Sequence, residues 1–488
     1  MSTGMDDLPE EMLAHVVRRL PPRSLAVCRS VCKNWRAVVD ARRLLHAVAH
    51  LVPRSLRGIF INHIGKETHS FFSRGASPSR VDHALSFLPR RRMCHTSRVL
   101  DHRNGLLIYQ NGTNLFVCNP ATRRCAALPP PPTPTDQRFY RHRLYLMFDP
   151  TVSLHYDVLY FPEVPEKPKP YPERRNGRSA ILIRYSYDNL PPPVREAYER
   201  DVNRVGSMEW PPLSYGVQVY SSRTGQWEET RFIRQGDSSA ALTVSDVWSD
   251  PPAPSSNHDI LRCHAVCWRG AFYVHCRGGF VMRFSLLEEK YEVIKTPRLD
   301  ISARSRTDDE HEKPIKHLGK SKHGVYYTSI HDYHLRVWIL RQVSERSCQM
   351  PEWELKYQHD LKPSFLHHQR KAEVDRSWIL DPVEDQQNNE WDSDEDSMAD
   401  AEGETDNRGS TFSYSGVDFL GCHPYKEIIF LGNRFRGYAY YLGSSKLEYL
   451  GSLSPSGLGC FPLMTPTLES FIYTPCMDDL LYDQNNPS

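Results

Sequence analysis

Three groups of side chains in this 488-residue sequence have the types and spacing for chemistry. Cys263 and Cys267, with His264 between them, could offer thiolate and imidazole to a metal ion. Structural zinc sites space their cysteines more tightly and add a second ligand pair. The same four-residue step puts both thiols on one face of a strand, where buried small side chains also sit. His367-His368, with His359 upstream, could move protons, but no Ser, His and Asp set with a Gly-flanked nucleophile can be assembled around them. No P-loop and no GxGxxG is present, so nucleotide chemistry lacks its phosphate cradle. Cys28 and Cys32 lie in an apolar helical pattern and read as core. No catalytic residue, metal or cofactor is expected.

The elements around these residues follow from composition. The chain is 39% hydrophobic and 25% charged, enough for at least one large core, and its length suggests about two to four domains. Its 37 prolines and 11% aromatic content favour many short antiparallel strands over a helical bundle or a doubly wound parallel sheet. The formal charge of +2 hides an asymmetry: residues 381–406 hold 12 acids and no Lys or Arg, so the remainder carries +14. Arg90-Arg91-Arg92 and Arg123-Arg124 read as solvated basic faces, and no nucleic-acid partner is expected. No apolar run approaches the ~18 residues of a membrane span, and the acidic start MSTGMDDLPEE lacks a signal core. The 12 scattered cysteines read as reduced thiols, which implies a cytoplasmic and/or nuclear protein.

Residues 6–50 have helical texture. Met12, Leu13, Val16, Val17 and Leu20 recur at helical spacing, Pro21-Pro22 stops them, and Ser24 can cap a second helix. A third carries Val31, Cys32, Trp35, Val38 and Val39, and residues 41–51 could form a fourth. After about residue 55 helical periodicity disappears. Short apolar or alternating runs replace it, among them Gly58–Asn62, Gly105–Tyr109, Ala180–Tyr185, Phe280–Ser285, Gly324–Ser329 and Glu427–Leu431, separated by Gly, Asn, Asp or Pro. A strand–turn–strand unit recurs at Leu115–Arg124, Val217–Trp227, Val281–Tyr291 and Tyr438–Tyr449, at blade-sized separations that suggest a propeller. Asn104-Gly105 and Asn119-Pro120 are turn chemistry. Trp227, Trp268 and Trp338 are expected to pack between blades.

The ordered set Leu8-Pro9-Glu10-Glu11-Met12-Leu13, Leu20-Pro21-Pro22-Arg23-Ser24-Leu25 and Arg29-Ser30-Val31-Cys32-Lys33-Asn34-Trp35 closely resembles an F-box. The resemblance implies docking onto the Skp-type adaptor of a cullin–RING (SCF) ubiquitin ligase. Matched position by position, Leu8, Pro9, Leu13, Val16, Leu20, Pro21, Leu25, Val31, Cys32 and Trp35 fall on the motif's characteristic residues and form the expected adaptor-binding set. Leu8, Pro9 and Leu25 are expected to touch the adaptor, while Trp35 and Val38 pack inside or serve both roles. Asn104–Leu107, Val117–Arg123, Phe148–Pro150, Val219–Trp227 and Gly278–Met282 resemble the F-box-associated, kelch-like β-propeller regions of plant F-box proteins. The doubled glycine of a regular kelch repeat does not recur in each unit.

The expected fold is thus α+β and multidomain: a small N-terminal helical F-box, then a large all-β propeller-like domain. The expected divisions are 1–50 for the F-box, 51–95 for a linker or first strands, 96–380 for the propeller-like region, 381–411 for an acidic disordered insert, 412–475 for the last strands and 476–488 for a tail. The expected function is that of a non-enzymatic substrate-recognition subunit. It would hold a target protein on its β domain and reach cullin and RING subunits through the adaptor, with no membrane involved. The alternative is a propeller that binds a small ligand, or acts as an enzyme, in its central channel.

Overall fold

The computed structural model describes residues 10–17, 33–41, 56–63, 66–74, 81–89, 97–132, 139–150, 153, 155–168, 191–236, 242–249, 265–298, 314–341, 351–370, 378–380, 417–433, 435–453 and 467–476. In the N-terminal part it contains α1 (Glu10–Val17) and α2 (Lys33–Ala41), which pack on each other. Leu13 and Ala14 are buried on α1, as are Val38 and Val39 on α2.

Among the described residues, the strands that follow form six four-stranded antiparallel units. Strands β1 (Gly58–His63) and β2 (Ser70–Arg74) come first and belong to the last unit. The first complete unit is β3 (Ser97–Arg103), β4 (Leu106–Asn111), β5 (Asn114–Asn119) and β6 (Arg124–Leu128). The second begins with β7 (His142–Met147) and β8 (Asp157–Pro162). An insertion follows, with α3 (Pro192–Gly206) and β9 (Glu209–Trp210), before the unit ends in β10 (Ser214–Ser221) and β11 (Gln226–Gln235). The small strand β12 (Leu242–Thr243) pairs with β9 and leads into α4 (Val244–Ser249). The third unit is β13 (Ala265–Trp268), β14 (Ala271–Cys276), β15 (Phe280–Ser285) and β16 (Lys290–Lys295). The fourth is β17 (Ile315–Ser321), β18 (Gly324–His331), β19 (His334–Arg341) and β20 (Glu352–Asp360), followed by α5 (Lys362–Arg370). Strand β21 (Trp378–Leu380) leaves for the sixth unit. The fifth is β22 (Val417–Cys422), β23 (Ile428–Asn433), β24 (Arg436–Tyr441) and β25 (Lys446–Ser452). Strand β26 (Thr467–Tyr473) then pairs with β1, so the sixth unit runs β26-β1-β2-β21.

Six apolar clusters join these units into a closed ring. Leu106, Ile108 and Val117 of the first meet Leu146, Val158 and Tyr220 of the second. Equivalent clusters join second to third, third to fourth, fourth to fifth and fifth to sixth. The last joins Phe60, Phe71 and Tyr473 of the sixth to Val99, Leu107 and Tyr109 of the first. Alternation along the middle strands supplies both faces. Tyr326 packs toward the fifth unit and Tyr327 toward the third. Each large side chain so buried contributes about 1.5–3 kcal/mol, and this makes the propeller-like body a ring of interfaces with no single centre.

The four repeats read in the sequence are the connections from third to fourth strand in the first, second, third and fifth units. Each ends on a residue in the left-handed region just before the fourth strand: Arg123, Gly225, Glu289 and Ser445, with φ between 51° and 71°. The fourth unit lacks a tight connection there because ten residues separate β19 from β20, and the sixth because β2 and β21 are far apart in the chain. Helices α3, α4 and α5 correct the expectation that helix stops near residue 55. The first of them opens on Pro192 and Pro193, where missing N–H groups lose nothing. It buries only Val205 and Gly206, so no apolar stripe marks it.

The closing segment is held by residues that the sequence marked as turns. Asn104 and Gly105 take φ of 44° and 92° between β3 and β4, the conformation of a two-residue hairpin. A Cβ on Gly105 would lie 2.2 Å from the Cys476 backbone nitrogen. Asn119 donates from Nδ2 to the Cys476 carbonyl at 3.0 Å and accepts the Ala121 N–H at 3.1 Å. Between the fourth and fifth units, Glu427 accepts the hydroxyls of Tyr326 (3.0 Å) and Tyr357 (2.7 Å) and ion-pairs with Lys356. Burial opposes its charge, but these donors hold the carboxyl down to about 2.

Two measurements check these contacts. Gly105→Ala adds backbone strain and a clash, and is expected to lower stability by about 2–4 kcal/mol, read as a fall in the urea midpoint at unchanged slope. Because the folded Glu427 pKa is depressed, its stabilisation is complete above the unfolded value of 4.5 and lost as pH falls toward 2. Glu427→Gln should therefore destabilise at pH 7 by about 1–3 kcal/mol, with the gap to wild type narrowing between pH 4.5 and 2 in acid-unfolding curves.

Candidate functional site

Of the expected adaptor-binding residues, Leu8, Pro9, Leu20, Pro21, Leu25, Val31 and Cys32 lie outside the described residues, as do Cys28 and Ser24. Leu13 is 1% exposed and packs inward. Val16 is 40% exposed, and Trp35 on α2 is half-buried. Met12, one turn before Val16 on α1, is 57% exposed. In the sequence Met12 stands in the helical periodicity and in the ordered F-box set, outside the expected adaptor-binding residues. Its position at i and i+4 with Val16 puts two uncovered apolar side chains on one helix face.

The second candidate is the channel of the ring. A cavity of about 570 Å³ is walled by the first strands of all six units: β3, β7, β13, β17, β22 and β26. Near the starts of these strands its charges are matched. Arg143 on β7 ion-pairs with Glu163, and it reaches Glu469 on β26 at 3.1 Å. Glu469 is also approached by Asn62 Nδ2 at 3.4 Å. Asn62, buried on β1, donates to the Val99 carbonyl at 2.7 Å and accepts the Val99 N–H at 3.2 Å. Its amide thereby bridges the sixth unit to the first as a backbone group would.

Near the strand ends the balance is different. Asp101 accepts the Leu146 N–H at 2.8 Å and lies 3.8 Å from Arg103. Arg103 donates to the carbonyls of His102 (3.0 Å) and Ala265. Burial raises the Asp101 pKa against the pull of Arg103. Burial would lower Arg103, but Asp101 and Cys267 hold it above its ordinary value. Burial, reinforced by Arg103 and Lys320, pushes His102 down to about 3 and so keeps it neutral at neutral pH. Its Nε2 then accepts the Gly105 N–H at 3.2 Å. The sequence does not single out Asp101, His102, Arg103, Arg143, Glu469 or Lys320, because they come from distant segments and form no local motif.

The other candidates fall elsewhere. Cys263 and His264 lie outside the described residues, while the Cys267 thiol faces Arg103 and burial raises its pKa. His359 on β20 pairs through Nδ1 with the Ser445 hydroxyl at 3.0 Å. His367 is exposed on α5, and no group of three or more His, Cys, Asp or Glu converges as a metal set among the described residues. Trp227, Trp268 and Trp338 pack in the clusters between units. Arg123 and Arg124 are exposed, whereas Arg90–Arg92 and residues 381–411 lie outside the described residues. No described helix is long and apolar enough to cross a membrane.

A small helical unit ahead of a six-bladed ring defines a two-part class, a helical module joined to a propeller-like body. Residues 5–47 match the model of the F-box domain, so the chain carries an F-box domain in its N-terminal part. Two Arabidopsis thaliana relatives, both named as F-box proteins, are 29% identical over 132 residues and 30% identical over 161 residues. These matches cover 26% and 32% of this chain and 33% and 42% of the relatives. An Arabidopsis thaliana F-box/kelch-repeat protein is 30% identical over 136 residues, 26% of this chain and 32% of the relative. Human F-box only protein 17 is 50% identical over 40 residues, 8% of this chain and 14% of the relative. The matched part spans only about a third to two-fifths of the first relatives' length.

Removing Arg143 would leave Glu163 and Glu469 facing each other inside the channel. Arg143→Leu is expected to lower stability by about 3 kcal/mol at pH 7. The loss should be read as a fall in the urea midpoint at unchanged slope.

Proposed function

We propose that this chain is the substrate-recognition subunit of an SCF-type (cullin–RING) ubiquitin ligase. The F-box domain match over residues 5–47 carries the reading. The F-box docks onto a Skp-type adaptor and through it onto cullin and RING subunits. The uncovered Met12 and Val16 on α1 suit this role, since a helical pair this small gains stability by burying apolar surface on a partner. The propeller-like body holds the target protein on loops at one end of the ring. The mechanism is proximity: tethering raises the effective concentration of a target lysine near the charged ubiquitin-conjugating enzyme. The transfer chemistry belongs to other subunits, so the chain itself is not an enzyme in this reading. The protein acts in the cytoplasm and/or nucleus.

The test is co-purification with a Skp-type adaptor. Wild type should bind. Leu8→Ala/Pro9→Ala and, separately, Val16→Glu should weaken binding about tenfold or more, with an unchanged circular dichroism spectrum. Absence of wild-type binding would overturn the reading.

A further inference from the structure

The channel has more positive charge than its own carboxylates can match. Arg98, Arg103, Arg141, Arg143 and Lys320 line it, against Asp101, Glu163 and Glu469. Glu163 and Glu469 are both taken by Arg143. Arg141 has Glu166, and Arg98 is hydrogen-bonded to Gln110. Of the carboxylates that line the cavity, Asp101 alone is left for two cations at the strand ends. It stands 3.8 Å from Arg103 and is already engaged by the Leu146 N–H.

Lys320 has no carboxylate within ion-pair distance, although the charge of Asp149 acts on it from farther off. It is half-buried as the sixth residue of β17, and its ammonium makes no hydrogen bond or ion pair among the described residues. Its charge opposes that of Arg103 across the channel end, and burial and Arg103 lower its pKa by more than Cys267 and Asp149 raise it. A charge drawn out of water without an ion-pair partner is unfavourable unless a counter-charge joins it. A structural lysine would be expected to have a partner, as Lys356 has Glu427.

We propose that the channel end between Arg103 and Lys320 binds a small anion, a molecule bearing a phosphate or carboxylate group. The cavity volume of about 570 Å³ suits a small molecule and excludes a folded partner. Lys320 supplies three donors and a point charge, and Arg103 supplies a planar cation fixed by two backbone carbonyls. The neutral His102 beside them adds polarity without repelling the anion. Closure of the ring is what makes the site, because Arg103 comes from the first unit, Lys320 from the fourth and the Ala265 carbonyl from the third. This inference does not rest on adaptor binding.

The full chain is titrated with inorganic phosphate and, separately, with citrate by calorimetry, at ionic strength matched with sodium chloride. Wild type should bind phosphate, citrate or both saturably, and the arm that responds names the anion class. Lys320→Met should weaken that binding about tenfold or more, while raising the melting temperature of the anion-free protein because an unmatched cation is gone. Lys446→Met, at an exposed position on β25, should do neither. No saturable binding of either anion by wild type overturns the proposal, as does undiminished binding by Lys320→Met. If Lys320→Met does not fold, Lys320→Gln carries the same readout, and the wild-type titration decides alone if neither variant folds.

Discussion

Pairing of β26 with β1 is the constraint on which the rest of the body depends. Residues 58–63 meet residues 467–473 along a full antiparallel ladder. Without that ladder the sixth unit loses its inner strand, and the clusters on both of its sides lose a wall. Ring closure across more than 400 residues is entropically expensive, although that cost grows only logarithmically with loop length. The offset is concentrated where the chain closes. Phe60, Phe71 and Tyr473 pack together, with ring centroids 4.6 to 6.4 Å apart. Asn62 and Asn119 add side-chain hydrogen bonds across the seam. Because the closing sheet takes β1 and β2 from one part of the chain, β21 from another and β26 from a third, its strands cannot form separately from the others.

Closure also creates the channel. In an open sheet the first strand of each unit would be an edge facing water. In the ring, six such strands face one another, and their polar side chains become a shared lining. Charges placed there are drawn out of water and must be matched locally. Arg143 has two carboxylates for this purpose, and Lys320 makes no ion pair among the described residues. The asymmetry lies along the strand direction: the charges are neutralised near the strand starts and cationic near the ends.

Different parts of each unit follow different physical rules. The second strands are covered on both faces, so GIFINH, LLIYQN, AFYVHC, GVYYTSIH and IIFLGN are mostly buried. Fourth strands face solvent: Glu352–Asp360 alternates partly covered and exposed positions with no buried residue. Adjacent units touch at these outer edges in two places, where β11 runs parallel to β16 and β25 to β21.

That division explains what could be read from the sequence. Middle strands form apolar runs, and the repeated third-to-fourth connection has a fixed turn, so the β class, the four repeats and the turn residues Asn104, Gly105 and Asn119 were legible without a structure. The ordered Leu, Pro and Trp positions of residues 8–35 were legible for the same reason, since they lie within one short segment. The first strands Ser97–Arg103 and Ile315–Ser321 were not, because their channel-facing Asp101, His102, Arg103 and Lys320 break the apolar pattern. Strand β2 was missed because five residues of mixed type give no periodicity. The number of units, the closing of the ring by strands from three parts of the chain and the meeting of Arg103 with Lys320 were decided by tertiary structure alone. Each depends on contacts between residues hundreds of positions apart, and local spacing carries no record of such contacts.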